Sequence, residues 1–179
     1  MMDGFAAPWC VAGGWAIDLF LGRITRAHDD IELAIFRQDQ SLLRRHLNGW
    51  TFDKVVNGRR EAWVANEELT LPVHEIHARA SHDPALAMEI LLNERDEHQW
   101  LFRRNQTIRM PLERAIVRSD SGMPVLCPAI VLLFKAKLRR AKDEMDFEAA
   151  RPALDRDNRV WLAAALRACH PGHAWLDRL

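Results

Sequence analysis

The sequence predicts an α+β fold, in which strands and helices mix over residues 1–125 and a small helical part follows over residues 126–179. In the first part, runs of alternating apolar residues such as DIELAIF indicate strands, and turn residues such as Asn57-Gly58 separate them. From Pro128 onward, apolar residues recur at helical spacing, and Pro128 itself suits the first turn of a helix. The chain therefore divides near residue 125 into a mixed core and a helical end.

The elements follow one another in a readable order. PWCV is a short buried strand that ends at Gly13-Gly14, and WAIDLFL is a short helix that Gly22 ends. DIELAIF is the next strand, in which Ile31 is expected in the core, and QSLLRRHL is a helix that stops at Gly49. The further strand-like runs are TFDKVV, EAWVA, LPVHEIHA, AMEILLNE, QWLFRR and PVLC, and the helical runs of the second part are PAIVLLFKAKLRRAK, KDEMDFEAARPAL and RVWLAAALRAC.

Composition bounds the class of protein. The chain has 179 residues, with 25 Lys and Arg against 25 Asp and Glu, and this balance argues against a protein that coats nucleic acid. Its first residues do not resemble a signal peptide, and its longest apolar run is too short to cross a membrane. The three cysteines lack the spacing of a disulfide framework or a zinc site, so we expect a reducing cytoplasm.

Three features carry candidate chemistry. Gly13-Gly14 lies between a strand and a helix, where backbone N–H groups attract anions, although a glycine pair is also typical of a plain tight turn. Asp30 and Glu32 alternate on a predicted strand, so both carboxylates project from one face. Such a pair suits Mg²⁺, and a solvated strand face is the alternative. Asp29 is out of phase with the pair and is expected to point away.

A third carboxylate, Glu75, lies on the run LPVHEIHA and shares one strand face with His77. It could complete a metal site or take a proton from an attacking hydroxyl group. An exposed residue on an edge strand is the alternative interpretation. Glu89 in AMEILLNE is a rival for the same role.

The run VAGGWAIDLFLGRITRAHDDIEL resembles the signature of the small-molecule nucleotidyltransferases of the DNA polymerase β superfamily. It is especially similar to the adenylyltransferases that modify aminoglycoside and lincosamide antibiotics, which share GGWAxD, GRxTRxHDD and then Ile followed by Asp or Glu. LLFKAKLRRAKDEMDF and HPGHAWL resemble the helical C-terminal part of many bacterial members. The resemblance implies the nucleotidyltransferase fold, a mixed sheet with flanking helices.

The resemblance also implies roles for the carboxylates. Asp30, Glu32 and Glu75 would be the catalytic and metal-binding carboxylates, with Glu75 as the base on the acceptor hydroxyl. Glu32 and Glu75 stand where the family more commonly has Asp. The extra methylene moves their oxygens outward by roughly a bond length.

Four residues are expected to bind the nucleotide. Gly13 and Gly14 would hold the triphosphate through the backbone, as the resemblance implies. Arg26 lies in the loop before the carboxylate strand and Lys142 lies in the AKDEMDF run, and both could offset phosphate charge. The alternative is that both residues are ordinary surface charges. For Lys142 a further alternative is an ion pair with Asp146, one helical turn away.

The implied reaction is a Mg²⁺-dependent transfer of AMP from ATP to a hydroxyl group of an aminoglycoside- or lincosamide-type antibiotic, with two metal ions. An aminoglycoside is a polycation, so its site should be acidic, and residues of the helical part could supply that charge. The acidic residues in question are Asp143, Glu144, Asp146 and Glu148.

We expect no membrane or nucleic-acid partner. A homodimer stays open, because a second subunit could contribute residues to the acceptor site.

Two alternatives stay open. A nucleotidyltransferase that acts on RNA or protein would need a local basic surface, which LRRAK, FRR and GRR could form, although the zero net charge argues against it. A relative that binds nucleotide without turnover is the other alternative, because Glu replaces Asp at two positions.

Overall fold

Ten strands and six α-helices follow one another in the computed structural model, which describes all 179 residues. The strands are β1 (Trp9–Val11), β2 (Glu32–Phe36), β3 (Trp50–Val56), β4 (Arg59–Ala62), β5 (Glu75–Ala80), β6 (Ala87–Arg95), β7 (Gln99–Leu101), β8 (Arg109–Pro111), β9 (Ile116–Arg118) and β10 (Pro124–Leu126). The helices are α1 (Gly13–Leu21), α2 (Gln40–His46), α3 (Leu112–Ala115), α4 (Pro128–Lys135), α5 (Ala141–Ala150) and α6 (Arg156–Cys169).

The strands form one mixed sheet in the order β4-β3-β5-β6-β2-β1-β10-β9, with β7 and β8 extending from β6. Two neighbouring pairs, β2 with β6 and β1 with β10, are parallel, and the other pairs are antiparallel. The parallel pairing of β2 with β6 matters for function because it sets Glu32 directly beside Glu89. The mixed sheet with flanking helices confirms the fold class that the sequence predicts.

One hydrophobic core joins the sheet to the helices. Helix α1 packs against α4, α5 and strand β10, and Cys10 and Cys127 are buried as small apolar residues. The core includes residues from both sides of position 125, so the helical end shares it with the sheet. The division into residues 1–125 and 126–179 stays a prediction. No helix of the protein has the length and apolar character needed to span a membrane.

The strand that carries the acidic pair begins later than its alternation predicts. β2 starts at Glu32, and Asp30 lies in the bend before it. Ile31 is 41% exposed, so the expectation that it enters the core is wrong. The reason is that pairing with β1 and β6 starts only at Leu33 and Glu32, so the alternation of a strand does not govern Asp30 and Ile31.

The structure differs from the predicted elements in two further ways, a break in one helix and several very short elements. The run predicted as one helix from Pro128 breaks after Lys135, and Arg139 adopts a left-handed conformation before α5 begins. The short elements β8, α3 and β9 were not predicted, because runs of three or four residues carry too little periodicity to be recognised.

Candidate functional site

A cleft of about 410 Å³ opens where the β1–α1 turn, the sheet strands β2, β5 and β6, and helices α4 and α5 meet. Seven of the 23 residues that line it are hydrophobic, so charged and backbone groups dominate its chemistry. The cleft brings together every residue for which the sequence predicts a role in metal binding, nucleotide binding or catalysis. These residues are Gly13, Gly14, Arg26, Asp30, Glu32, Glu75 and Lys142.

The glycine turn lets a carboxylate approach the start of helix α1 closely. A Cβ atom on Gly13 would lie 1.5 Å from Oε2 of Glu32, and Gly13 has a left-handed φ of +59°. The backbone N–H of Gly14 favours the charged form of the Glu32 carboxylate and so lowers its pKa. A side chain at either glycine would close this space, since a Cβ on Gly14 would lie 2.3 Å from the Arg26 guanidinium. The pair is therefore more than a plain turn.

Burial raises the pKa of Glu32, and the charges of Lys135 and Lys142 oppose that rise. Asp30 adds to the rise because it is a like charge nearby. Burial and the charge of Asp30 both disfavour the charged form of Glu32. A cation bound next to Glu32 would stabilise that charged form.

Glu75 forms a close cluster with His77 and Glu89. Strand register places Glu89 beside both Glu32 and His77, so these side chains share one sheet face. His77 Nε2 lies 2.9 Å from Glu75 Oε1, and its Nδ1 lies 3.5 Å from Glu89 Oε1. Ligand atoms of these three residues come within 4.8 Å of one another, whereas Asp30 and Glu32 line the same cleft outside this close group.

The donor set fits a divalent cation of the Mg²⁺ type, which prefers carboxylate oxygens. Burial raises the pKa of Glu89, and the neighbouring charges of Glu75, Asp30 and Glu32 raise it further. Asp30, Glu32, Glu75 and Glu89 repel one another across the cleft, and a bound cation would stabilise this arrangement. Their individual roles as metal ligands stay a prediction. Asp29 also lines the cleft, which differs from the expectation that it lies away from the pair.

Arg26 and Lys142 both line the cleft, but only Arg26 is held by an ion pair. The Arg26 guanidinium is tied to the buried Asp146 through two hydrogen bonds, of 2.8 and 2.9 Å. Lys142 is half-buried, makes no ion pair and contributes its charge to the environment of Glu32. The predicted helical pair of Lys142 with Asp146 is not formed, because Asp146 is bound to Arg26 and Lys135 instead.

Sequence reasoning missed Lys135, although this residue lines the same cleft. Its side chain is 9% exposed, and its Nζ lies 2.8 Å from Asp146 Oδ2 and 3.6 Å from Asp143 Oδ1. A lysine at the end of the apolar run PAIVLLFK was the available signal, since a charge that follows buried residues on one helix needs a partner.

The loop that carries Arg26 is held by Asp18, another residue that the sequence did not single out. Asp18 is buried in α1, accepts a hydrogen bond from Thr25 Oγ1, and lies 2.7 Å from His28 Nε2. The His28 ring packs on Trp15, with the ring centroids 4.6 Å apart. Through these contacts His28 joins the loop before β2 to helix α1.

The expectation that acidic residues of the helical part form the site of a polycationic acceptor is wrong. Asp143 and Asp146 are fully buried and paired with Arg140, Lys135 and Arg26. Glu144 and Glu148 pair with Arg178. None of the four lines the cleft, because helix α5 turns them toward internal cations and toward the C-terminal segment.

The structural neighbours are nucleotidyltransferases. The solution structure of the antibiotic-resistance factor ANT(2'')-Ia matches 93% of this chain and 85% of its own at 20% identity, with a TM-score of 0.56. The lincomycin-bound adenylyltransferase LnuA matches 86% of this chain and 91% of its own at 15% identity, with a TM-score of 0.57. ANT(2'')-Ia in complex with adenylyl-2''-tobramycin matches 93% and 91% at 18% identity, with a TM-score of 0.54. At these identities the likeness shows the fold alone.

The chain therefore has the fold of these solved structures, a mixed sheet with flanking helices, as the sequence resemblance implies. A model of the aminoglycoside-2''-adenylyltransferase family matches residues 1–116, and the chain belongs to this family. A 26-residue segment is 65% identical to 2''-aminoglycoside nucleotidyltransferases of Escherichia coli and Klebsiella pneumoniae. That segment is 14% of this chain and 15% of the length of those relatives.

Proposed function

We propose that the protein transfers AMP from ATP to a hydroxyl group of a small-molecule acceptor and releases pyrophosphate. Its family makes an aminoglycoside the first acceptor to test and a lincosamide the second. The observation that carries the proposal is the single cleft that combines the Gly13-Gly14 turn, the acidic group around Glu32 and Glu75, and the unpaired Lys142.

The triphosphate would lie at the Glu32 end of the cleft. Gly13 and Gly14 offer backbone N–H groups there, and Lys135 and Lys142 lie near enough to affect the charge of Glu32. Arg26 would face the phosphates while Asp146 holds its guanidinium in place. These cations act by charge and by position, which supply most of the catalysis in phosphoryl transfer.

Asp30, Glu32 and Glu75 would hold Mg²⁺, with two ions as the proposed number. The metal would supply electrostatic stabilisation of the charge that develops on the leaving pyrophosphate. Asp30 is exposed in the bend before β2 and lines the cleft, and Glu32 lines it next to the glycine turn. Glu89 is the alternative ligand, because it shares a sheet face with Glu32.

Glu75 is the proposed general base. Its Oε1 is held by His77 Nε2 at 2.9 Å, which leaves the other carboxylate oxygen to accept the proton of the acceptor hydroxyl. His77 in turn lies between Glu75 and Glu89, so it fixes the direction of the Glu75 side chain. The same proposal places the protein in the cytoplasm, where ATP is available and the three free cysteines stay reduced. A homodimer stays a prediction.

The test measures pyrophosphate release from Mg²⁺-ATP with tobramycin, lincomycin or tRNA as acceptor. Asp30→Asn and Glu75→Gln should lower kcat by about 100-fold or more, because each removes a charge needed in the transition state. Glu97→Gln is the matched control, since Glu97 is 93% exposed and lies outside the cleft. A fully active Asp30→Asn variant would contradict the metal assignment.

The other outcomes of this assay separate the alternatives. Label transferred to tRNA would favour a nucleotidyltransferase that acts on RNA. Tight binding of Mg²⁺-ATP without release of pyrophosphate with any acceptor would favour a relative that binds nucleotide without turnover. Either result would overturn transfer to a small molecule.

A further inference from the structure

One guanidinium in the cleft, that of Arg103, has no ionic partner within the protein. Arg103 follows strand β7, lines the cleft and lies over the ring of Phe134, with 5.4 Å between its guanidinium carbon and the ring centre. Phe134 belongs to helix α4, so this contact sets Arg103 on the side of the cleft that α4 forms. We propose that Arg103 binds the α-phosphate of ATP and stabilises its charge during the transfer, an inference that rests on the proposed function.

Most of the positive charge in the cleft is already offset by the protein itself. Six Lys or Arg side chains line the cleft, and three of them form ion pairs with the buried carboxylates of α5. The three paired residues are Arg26, Lys135 and Arg140. Lys142, Arg103 and Arg104 form no ion pair, so these three carry charge that no carboxylate of the protein offsets.

Two of the unpaired cations lie next to different carboxylates. The charge of Lys142 lowers the pKa of Glu32, which lies beside the glycine turn. The charge of Glu75, by contrast, raises the pKa of Arg103. Lys142 therefore belongs to the part of the cleft around Glu32, and Arg103 to the part around the proposed base.

Arg103 stays unpaired because the other carboxylate near it is occupied. Arg37 binds Glu94 through two hydrogen bonds, of 2.9 and 2.7 Å. Burial, together with the charges of Arg104 and Arg37, lowers the pKa of Arg103 to about 10, so its guanidinium is charged at neutral pH. A half-buried guanidinium without a counter-ion is stabilised by a phosphate group, whose oxygens match the fork of its N–H groups.

The place of Arg103 decides which phosphate it meets. In the proposed step the acceptor oxygen forms a bond to the α-phosphorus, and the bond from that phosphorus to the oxygen bridging the α- and β-phosphates breaks. Pyrophosphate leaves with the electron pair of that bond, and Glu75 takes the hydroxyl proton. The attacked phosphorus lies about 3–3.5 Å from the acceptor oxygen, and therefore close to Glu75. A cation near Glu75 thus faces the α-phosphate, whereas Lys142 faces the β- and γ-phosphates at the glycine turn.

The acceptor is the other group that would lie close to Glu75, and its charge excludes it as the partner of Arg103. An aminoglycoside carries positively charged amino groups, and like charges at close range oppose binding. The α-phosphate brings the opposite charge to the same place. Its oxygens share the charge that develops in the transition state, so a guanidinium held in position beforehand contributes more there than in the ground state.

The binding test compares AMP with adenosine, which differ only in the α-phosphate. Calorimetry with Mg²⁺ measures both Kd values, and we expect AMP to bind the wild type at least about tenfold more tightly, because charge-assisted hydrogen bonds form. Arg103→Gln should lower that preference by at least about fivefold. Lys142→Gln should keep it and instead weaken the binding of pyrophosphate.

Arg104→Gln is the matched control, because it removes the same charge from the next residue of the chain. Arg104 is exposed, and its Nη1 donates a long hydrogen bond of 3.4 Å to the carbonyl oxygen of Phe134. This variant should keep the preference for AMP to within about twofold of the wild type. An equal loss in Arg104→Gln and Arg103→Gln would mean that the general positive field of the cleft, and not a contact of Arg103, binds the phosphate.

Turnover provides a second measurement. With Mg²⁺-ATP and tobramycin, Arg103→Gln should lower kcat by about 100-fold or more while the KM for ATP changes by about tenfold or less, because the contact strengthens as charge develops. Arg103→Lys keeps the charge without the forked geometry and should recover part of kcat. This second variant keeps the test decisive if Arg103→Gln folds poorly.

Two further results would count against the α-phosphate contact. One is an Arg103→Gln variant that keeps both the preference for AMP and the kcat of the wild type. The other is an Arg103→Gln variant that binds tobramycin more tightly and AMP as before, since this would set Arg103 against the acceptor.

Failure of the proposed function has a different signature. If the wild type releases pyrophosphate with no acceptor, yet Arg103→Gln loses the preference for AMP, the phosphate contact is supported and the transfer reaction is not. If the wild type transfers AMP to tobramycin while Arg103→Gln binds AMP and turns over as the wild type does, the transfer reaction stands and the role of Arg103 is wrong.

Discussion

The Arg26 guanidinium donates two hydrogen bonds to the carboxylate of Asp146, which lies 120 residues further along the chain. Asp146 is fully buried, and Lys135 provides it with a second cation at 2.8 Å. The contact joins α5 to the loop that precedes β2, next to the glycine turn. The C-terminal helices therefore help to position the residues at the nucleotide end of the cleft.

Asp146→Asn should destabilise the protein by about 3–5 kcal/mol, because it leaves two buried cations without their shared carboxylate. The free energy of unfolding from urea denaturation is the measurement. Asp177→Asn is the control, since Asp177 is exposed and makes no ion pair, and it should change stability by less than about 0.5 kcal/mol. A loss below about 1 kcal/mol for Asp146→Asn would show that Arg26 and Lys135 find other partners.

Acid stability should depend on Asp146 in a defined pH range. Burial opposes its charged form, but the hydrogen bonds from Arg26 and Lys135 outweigh that effect and hold its pKa below the usual value. A carboxyl with a lowered pKa contributes stability that is fully present above its unfolded pKa of about 3.9 and is lost as pH falls through the folded pKa.

The free energy of unfolding of the wild type should therefore fall steeply below about pH 4. In Asp146→Asn this contribution is absent at every pH, so the stability difference between the two proteins should shrink on acidification. Urea denaturation at pH 7, 5, 4 and 3 checks it. Glu32 and Glu89, whose pKa values are raised, contribute equally in both proteins and cancel in the comparison. A difference independent of pH would refute the assignment.

Gly13→Ala should destabilise the protein and disturb Glu32 at the same time. The left-handed φ costs an L residue about 1–2 kcal/mol, and the new Cβ would also overlap the Glu32 carboxylate. Gly58→Ala is the matched control, because Gly58 has a φ of +76° with no atom within 4 Å of the added Cβ. Gly13→Ala should exceed the control by at least about 1 kcal/mol in thermal or urea denaturation.

A double-mutant cycle assigns that excess to its cause. Glu32→Ala removes the side chain that the new methyl group would meet, so Gly13→Ala should cost about as much as Gly58→Ala in that background. An excess that persists without the Glu32 carboxylate would mean that the backbone strain at Gly13, and not the close approach, is responsible.

Much of the fold and most of the candidate site could be predicted from the sequence, because their signals are local. The alternation over DIELAIF predicts β2 apart from its start, and Gly22 predicts where α1 ends, although α1 itself begins at Gly13 and not at Trp15. Residues such as Lys135, Arg103 and Asp18 were missed since each sits in a run that has an ordinary local interpretation. Their partners lie far along the chain, and no periodicity records such a pairing.

Local sequence patterns are enough to predict the α+β class, the glycine turn, the acidic residues Asp30, Glu32 and Glu75, and the family to which they point. Which charges remain available in the cleft depends on how the helices pack against the sheet. Asp143 and Asp146 belong to an acidic run of the sequence. In the folded protein α5 packs so that both carboxylates form ion pairs with neighbouring cations and do not face the cleft. Arg103 stays unpaired because Arg37 already binds Glu94. The physical reason is that a charge in a folded protein acts through its spatial neighbours, whose identity depends on packing over the whole chain.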